Sequence, residues 1–342
     1  MEKKDLRIIF MGTPEFAVGT LSRLVEGGYN VVAVVTQPDK PVGRHQDKLQ
    51  ASAVKQYALA HSIPVLQPVK MKDPDFVERL ADLKADLQVV VAFRMLPEIV
   101  WAMPRFGTFN VHAALLPQYR GAAPINWAVI NGETQTGVTT FFIDKDIDTG
   151  RIIMKRTFDI PDDADVEYVY DGLMKLGADI AVETVDMVLD NDGNVPAQEQ
   201  EALIPTSEPL HPAPKIFKET CQICWDKPAK TVYDFIRGLS PYPGAWTTLH
   251  KDQKATELKI YKAAKTGKPV GDAKPGSIET TKKALYMACA DEWLEILSLQ
   301  LAGKKRMEAS AFINGNKGLA DCTVGSAPRC RHTWSTAPCR RP

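Results

Sequence analysis

Cysteine is scarce, with six residues irregularly spread over 342. That scarcity excludes the disulfide framework of a small secreted protein and suits a reducing compartment. Cys221 and Cys224 have the Cys-x-x-Cys spacing of half a zinc site, but Cys322, Cys330 and Cys339 supply no second pair. We read the pair as structural and expect no metal. No stretch approaches the ~20 apolar residues that span a bilayer. The apolar run from Ile8 to Met11, behind a charged start, is too short for the core of a secretory leader. Both absences point to the cytoplasm and away from a membrane partner. A dinucleotide fingerprint is missing too. Gly12-Thr-Pro-Glu-Phe-Ala17 lacks the Gly-x-Gly-x-x-Gly spacing that lets backbone approach a pyrophosphate, and Glu15 would repel one.

Net charge is absent overall, with 42 Lys and Arg against 42 Asp and Glu, but it is unevenly spread. From Pro205 onward there are 22 basic and 13 acidic residues, which leaves 20 and 29 before it. A basic second half suits a polyanion such as nucleic acid, or else a lysine-rich solvated surface. The length suits two domains, each with its own core.

The first half reads as strands alternating with helices. Leu6 to Met11, Val31 to Thr36, Pro64 to Leu66, Leu87 to Phe93 and Phe109 to His112 are apolar strand runs. Glu15 to Val25, Ala51 to His61, Asp75 to Leu83 and Pro124 to Ile130 have helical character. This order predicts an α/β domain with a mostly parallel, Rossmann-like sheet. Gly137 to Ile143 and Ile152 to Phe158 are expected to pair around a turn, and Val166 to Asp190 to form a long helix. Crowded prolines at 205, 209, 212 and 214 then mark a linker. After a helix at Ala229 to Arg237, short strands between Thr247 and Leu299 predict a small barrel or sandwich. The expected division is a catalytic domain at 1–190, a linker at 191–220, a strand domain at 221–317 and an atypical tail at 318–342 with no periodicity to order it.

The candidate chemistry lies in Phe109-Asn-Val-His112 and Asp144-Lys-Asp-Ile-Asp148-Thr-Gly150. Residues two apart on a strand share a face, so Asn110 and His112 can act on one atom. An amide NH₂ beside an imidazole suits an oxygen that becomes negative, and the Asp148 carboxylate can orient the imidazole and take up a proton. Such groups serve acyl transfer through a tetrahedral intermediate.

Between them runs Ala114-Leu-Leu-Pro-Gln-Tyr-Arg-Gly-Ala-Ala-Pro-Ile125. With Asn-x-His before it and Ile147-Asp-Thr-Gly150 after it, this segment resembles the 10-formyltetrahydrofolate-dependent formyltransferases in order and spacing. The resemblance covers roughly residues 5–317. It implies Asn110, His112 and Asp148 as catalytic residues, 10-formyltetrahydrofolate as formyl donor, and the α-amino group of initiator methionyl-tRNA as acceptor in translation initiation. We expect a monomer. The resemblance also implies a C-terminal OB-like β-barrel that assists tRNA binding, entered through Ile236 to Trp246. Folate-binding residues implied in the same way are Phe93, Met95, Leu96, Pro97, Ala114, Leu115, Leu116, Pro117, Ile143 and Asp146. The chain departs from the family at Ala113-Ala114, where a small residue and Ser are usual, and at Phe93-Arg94, where Tyr-Gly is usual. Losing the Ser hydroxyl removes one hydrogen bond, worth about 1 kcal/mol. The loop from Gln37 to Lys48 resembles an insertion that reaches the tRNA acceptor end, with Lys40, Arg44 and Lys48 as phosphate contacts. On composition alone a solvated surface loop with three cations is the better reading.

Overall fold

The structure, a computed structural model, describes residues 1–42, 48–204, 209–251, 253–316 and 318–325. In chain order the first elements are β1 (Ile8–Gly12), α1 (Glu15–Glu26), β2 (Val31–Val35), β3 (Lys40–Val42), β4 (Lys48–Gln50), α2 (Ala53–Ala60), β5 (Val65–Leu66), α3 (Pro74–Asp82), β6 (Leu87–Val91), α4 (Glu98–Trp101) and β7 (Thr108–His112). There follow α5 (Pro124–Ile130), β8 (Gln135–Phe142), β9 (Ile152–Asp159), α6 (Val166–Asp190), α7 (Ala229–Gly238), β10 (Ala245–Lys251), β11 (Lys254–Pro269), β12 (Ile278–Thr280), β13 (Leu285–Ala288), β14 (Glu292–Leu301), β15 (Met307–Glu308), α8 (Ala309–Gly315) and β16 (Thr323–Gly325).

The chain divides into two compact units. The first gathers Met1–Gly121, Gln135–Asp159 and Tyr170–His211; the second gathers Ala122–Thr134, Ile160–Val169 and residues from Pro212 onward. This grouping differs from the contiguous blocks expected from the sequence. Within the second unit, α5 is tied to α7, where the Asn126 carboxamide donates to the Gly238 carbonyl at 2.8 Å, and the Trp127 indole donates to the Pro214 carbonyl at 2.8 Å. Such pairings join positions roughly a hundred residues apart, beyond the reach of local patterning.

The first unit is built on a seven-stranded sheet of order β5-β2-β1-β6-β7-β8-β9. The strands from β5 to β7 run parallel, and β8 and β9 are antiparallel additions. β1 and β6 are buried at every position, which is why they read as unbroken apolar runs rather than alternating ones. Ile9, Met11, Val90, Leu80 and Val100 share one core cluster. Each such side chain contributes about 1.5–3 kcal/mol of burial. α3 shows how a local signal sets a boundary: the Asp73 carboxylate accepts the Asp75 and Phe76 N–H groups at 3.1 and 3.2 Å, and Pro74 occupies the first turn. Chain order reverses between β1 and β6, so the loops after β1, β6 and β7 collect at the carboxyl ends of the strands, where open α/β sheets bind ligands.

The second unit carries an antiparallel sheet of order β12-β13-β14-β11-β10-β16, with β15 added beside β14. Its outer strands approach at a single isolated bridge, Ser277 to Thr323, beside a Val324 N–H to Gly276 carbonyl bond of 2.8 Å. β16 comes from the stretch read as an atypical tail; it pairs with β10 through Thr248, Leu249 and His250. Residues 326–342 lie outside the described part. Cys221 is a buried free thiol, so it does not bond to Cys224. Among the described residues, no helix is long and apolar enough to cross a membrane.

Candidate active site

β7 delivers the first two candidate groups. Phe109 and Val111 are buried in the sheet, while Asn110 and His112 leave the other face, as their spacing predicts. Among the described residues the Asn110 carboxamide has no hydrogen-bond partner, and it is partly exposed. The His112 ring is 5% exposed and lies edge-on to Phe141. Its Nε2 is 2.9 Å from the Tyr119 carbonyl. A carbonyl only accepts, so Nε2 must carry the proton and Nδ1 is the nitrogen free to gain or lose one. The sequence suggests that a protonated His112 joins Asn110 in binding an oxyanion. Because Tyr119 already occupies Nε2, that role falls to Nδ1.

Tyr119 can reach back in this way because it adopts a left-handed backbone, with φ of 60°. Its own N–H donates to the His211 carbonyl at 2.7 Å, which holds the turn. Asp148 enters from the loop between β8 and β9. Its Oδ2 lies 3.8 Å from His112 Nδ1 and accepts the Gly121 N–H at 2.9 Å. A separation of 3.8 Å is too long for a direct hydrogen bond. It is short enough for one heavy atom to bond both groups at ordinary distances.

The acidic loop is shaped by its own side chains. The Asp144 carboxylate accepts the Asp146 N–H at 3.1 Å and the Thr149 hydroxyl at 2.8 Å, and Asp148 has a φ of 56°. Gly150 is required by close approach, since a Cβ there would lie 1.7 Å from the Phe142 carbonyl oxygen. Behind the loop, the fully buried Gln200 donates to the Asp148 and Gly150 carbonyls at 2.9 and 2.8 Å. Its oxygen accepts two bonds from Arg120, at 3.0 and 2.7 Å. Sequence reasoning missed Gln200, Arg120 and Thr139. Gln200 falls in a stretch read as linker, and no local pattern marks it.

The implied folate residues separate into two groups. Leu96 is buried in the core cluster against which Phe93 and Ile143 pack, so these three are brought together; Met95 nearby is 67% exposed and Pro97 precedes α4. Asp146 is exposed on the acidic loop. Ala114 and Leu116 are fully buried, and Leu116 packs with Phe141 and Ile152. Their side chains are spent on packing, which leaves backbone groups and the half-buried Leu115 for a ligand. Arg94, where the family has Gly, donates to the Pro68 and Val69 carbonyls. Burial lowers its pKa from the ordinary arginine value. A cleft of ≈ 350 Å³ lined by Trp101, Thr108, Phe142, Ile143, Arg151 and Asn194 shares Ile143 with this set but includes none of the catalytic candidates.

Of the cationic loop, Lys40 is exposed in β3, which pairs with β4 from Lys40–Gln50 to Val42–Lys48. Arg44 lies outside the described residues. No cluster of three or more His, Cys, Asp or Glu suited to a metal ion occurs among the described residues.

An unpartnered amide, an imidazole with one committed nitrogen and a carboxylate facing the other thus lie together at the carboxyl end of a reversed parallel sheet. The formyl transferase family matches residues 6–185, and the formyl transferase C-terminal domain family matches 215–317. The chain belongs to the formyl transferase family. It is 60% identical to the methionyl-tRNA formyltransferase of Parabacteroides distasonis over 95% of this chain and 100% of that one. Identity to the enzyme of the same name from Bacteroides fragilis is 57%, over 92% of this chain and 96% of that one. Among solved structures, the sugar 3N-formyl transferase WlaRD, with dTDP and 5-N-formyl-THF, aligns with a TM-score of 0.61 at 19% identity, covering 88% of this chain and 99% of that one. HypX from Aquifex aeolicus in complex with tetrahydrofolic acid aligns with a TM-score of 0.59 at 19% identity, over 91% of this chain and 47% of that one. At that identity the two structures speak to the fold alone.

Proposed function

We propose that the protein transfers the formyl group of 10-formyltetrahydrofolate to the α-amino group of methionine carried by initiator tRNA, as a monomer in the cytoplasm. The observation that carries this reading is the 3.8 Å gap between His112 Nδ1 and Asp148 Oδ2 beside the unpartnered Asn110 amide. High identity to methionyl-tRNA formyltransferases along nearly the whole chain supports the acceptor.

The donor supplies an activated formyl carbon. Asn110 donates a hydrogen bond to the formyl oxygen as it turns negative, a contact whose loss costs about 2.7–4 kcal/mol of barrier. His112 Nδ1 donates to the same oxygen, and the incoming amine hydrogen-bonds to Asp148 across the gap, directly or through a water. As the amine attacks the formyl carbon, Asp148 takes up the amine's proton, directly or through that water, and passes it to the folate nitrogen, whose bond to the formyl carbon breaks as the intermediate collapses. Tyr119 keeps the imidazole from rotating, so its Nδ1 stays aimed at the gap. The buried neighbourhood of Phe93, Leu96 and Ile143 supplies an apolar wall for a flat pterin, and backbone groups of the acidic loop supply polar contacts at its rim.

In this reading the first 190 residues carry the chemistry and 221–317 form an OB-like tRNA-binding barrel. The approach of β12 and β16 at the Ser277–Thr323 bridge supports closure of that barrel, and the excess of basic residues from Pro205 onward supports a polyanionic partner. The resemblance assigns Lys40, Arg44 and Lys48 to acceptor-end phosphates. The test is to incubate the protein with 10-formyltetrahydrofolate and, separately, methionyl-tRNA, glycinamide ribonucleotide and an aminated sugar nucleotide. A formyl mass on the methionyl-tRNA alone is expected; transfer to another acceptor in preference would overturn the assignment.

A further inference from the structure

We propose that Gln200 is a positioning residue for the transfer, the strut that sets Asp148 opposite His112. The inference rests on the proposed roles of His112 and Asp148.

Gln200 is fully buried, and all four bonding positions of its amide are filled. Nε2 donates to the Asp148 carbonyl at 2.9 Å and the Gly150 carbonyl at 2.8 Å, while Oε1 accepts from Arg120 Nε at 3.0 Å and Nη2 at 2.7 Å. Carbonyls only accept and a guanidinium only donates, so the amide has one allowed orientation. Neither Asn nor Glu can reproduce it: Asn is one methylene shorter, and Glu at neutral pH turns a bare oxygen toward two carbonyls.

Its two ends grip the two segments that build the gap. The Asp148 and Gly150 carbonyls flank a turn whose first residue has a φ of 56°, a left-handed conformation that Asp tolerates and that these two bonds hold in place. Arg120 is flanked by Tyr119, whose carbonyl holds His112 Nε2, and by Gly121, whose N–H holds Asp148 Oδ2. One amide therefore controls both sides of the separation between Nδ1 and Oδ2. The strut is itself anchored. Gln198 and Ile152 exchange a reciprocal pair of backbone bonds at 2.8 Å, and Leu203 packs on the Leu116, Phe141 and Ile152 cluster.

The experiment compares wild type with Gln200→Glu and Gln200→Met, each first shown to be folded by circular dichroism. His112 is followed by imidazole NMR without substrate, and transfer is followed with both substrates varied. We expect the His112 titration midpoint to move in both variants and kcat to fall at least twentyfold, with each KM within threefold of wild type. A His112 titration unchanged in both folded variants overturns the positioning role, whichever acceptor the enzyme uses. Unchanged kcat accompanied only by a lower Tm also overturns it. Should neither variant fold, Arg120→Lys, which keeps the charge but loses the two-pronged grip on Oε1, is read by the same titration and the same kinetics: a moved midpoint with lower kcat supports the role, and an unmoved one overturns it. Failure of the functional reading is separable, because it shows as wild-type protein that does not formylate methionyl-tRNA while the NMR comparison still reports on Gln200.

Discussion

The Thr139 hydroxyl donates to the Ala114 carbonyl at 2.7 Å and accepts the Leu116 N–H at 3.1 Å. One side chain on β8 thus pins the start of the segment that leaves β7 at His112. Thr139 is fully buried, so Thr139→Val preserves shape while leaving a buried N–H and carbonyl without their partner. A loss of about 2 kcal/mol is expected, read as a lower urea midpoint with the slope unchanged. A variant as stable as the parent would show that these two bonds carry no net weight.

His112→Ala removes the ring that Tyr119 orients. Formyl transfer is expected to fall at least about a hundredfold while tRNA affinity stays within about twofold, since general acid–base groups contribute ~10²–10⁴ in rate. Asp148→Asn is the finer probe, because an amide oxygen can still accept the Gly121 N–H. Here too the rate should drop at constant tRNA affinity. Unaltered turnover in either variant would remove that residue from the chemistry.

Asp39 supplies a pH-dependent anchor just before β3. Lys55 Nζ lies 2.6 Å from one carboxylate oxygen and Gln67 Nε2 lies 2.7 Å from the other. The Lys55 hydrogen bond first, and Gln67 second, lower the Asp39 pKa from its ordinary 3.8. A lowered carboxylate pKa contributes stability that is fully present above 3.8 and is lost as pH falls through the folded-state value. NMR titration of the Asp39 carboxyl should give a midpoint below 3.8, and Lys55→Ala should move it upward. A wild-type midpoint at or above 3.8 contradicts the ion pair.

In the second unit, Asp234 and Arg237 are 4% and 6% exposed and joined at 2.8 Å, and Arg237 also donates to the Ala164 carbonyl at 2.9 Å. Removing one member strands a buried charge. Asp234→Ala should therefore destabilise by about 3–5 kcal/mol, whereas the double replacement Asp234→Leu with Arg237→Met should recover much of the loss. Denaturant unfolding monitored at Trp225, which is fully buried in this unit, provides the measurement. A single variant within ~1 kcal/mol of wild type would mean that water satisfies the Arg237 guanidinium in place of the carboxylate.

Arg44→Ala tests the proposed phosphate role of the loop between β3 and β4. Each lost phosphate contact should reduce the slope of log K against log salt by about 0.7–0.9. Filter binding of methionyl-tRNA at several salt concentrations measures it. An unaltered slope leaves Arg44 without a phosphate contact.

Strands such as Leu87–Val91 were legible because burial on both faces demands an apolar residue at every position, and α6 was legible to the residue because its apolar stripe persists through 25 positions. That the carboxamide and imidazole share a face was legible because a strand fixes their side, and the carboxylate was read from the acidic Asp144 to Gly150 run. What stayed hidden depends on distant pairing. Gln200 acts on residues 52 and 80 positions earlier, and α5 groups with strands that follow much later in the chain. The identity of the free His112 nitrogen was also out of reach, since it depends on a left-handed turn at Tyr119 that no glycine announces.

The strand from Thr323 to Gly325 has a practical consequence for anyone shortening this chain. A stop codon after 317 looks harmless on the basis of the matched region, which ends there. It would strip the cover from the outer rim of Thr248–His250 and leave open backbone donors and acceptors on a sheet margin. Exposed margins of that kind recruit neighbouring molecules, so the trimmed protein would gain stickiness rather than lose an ornament.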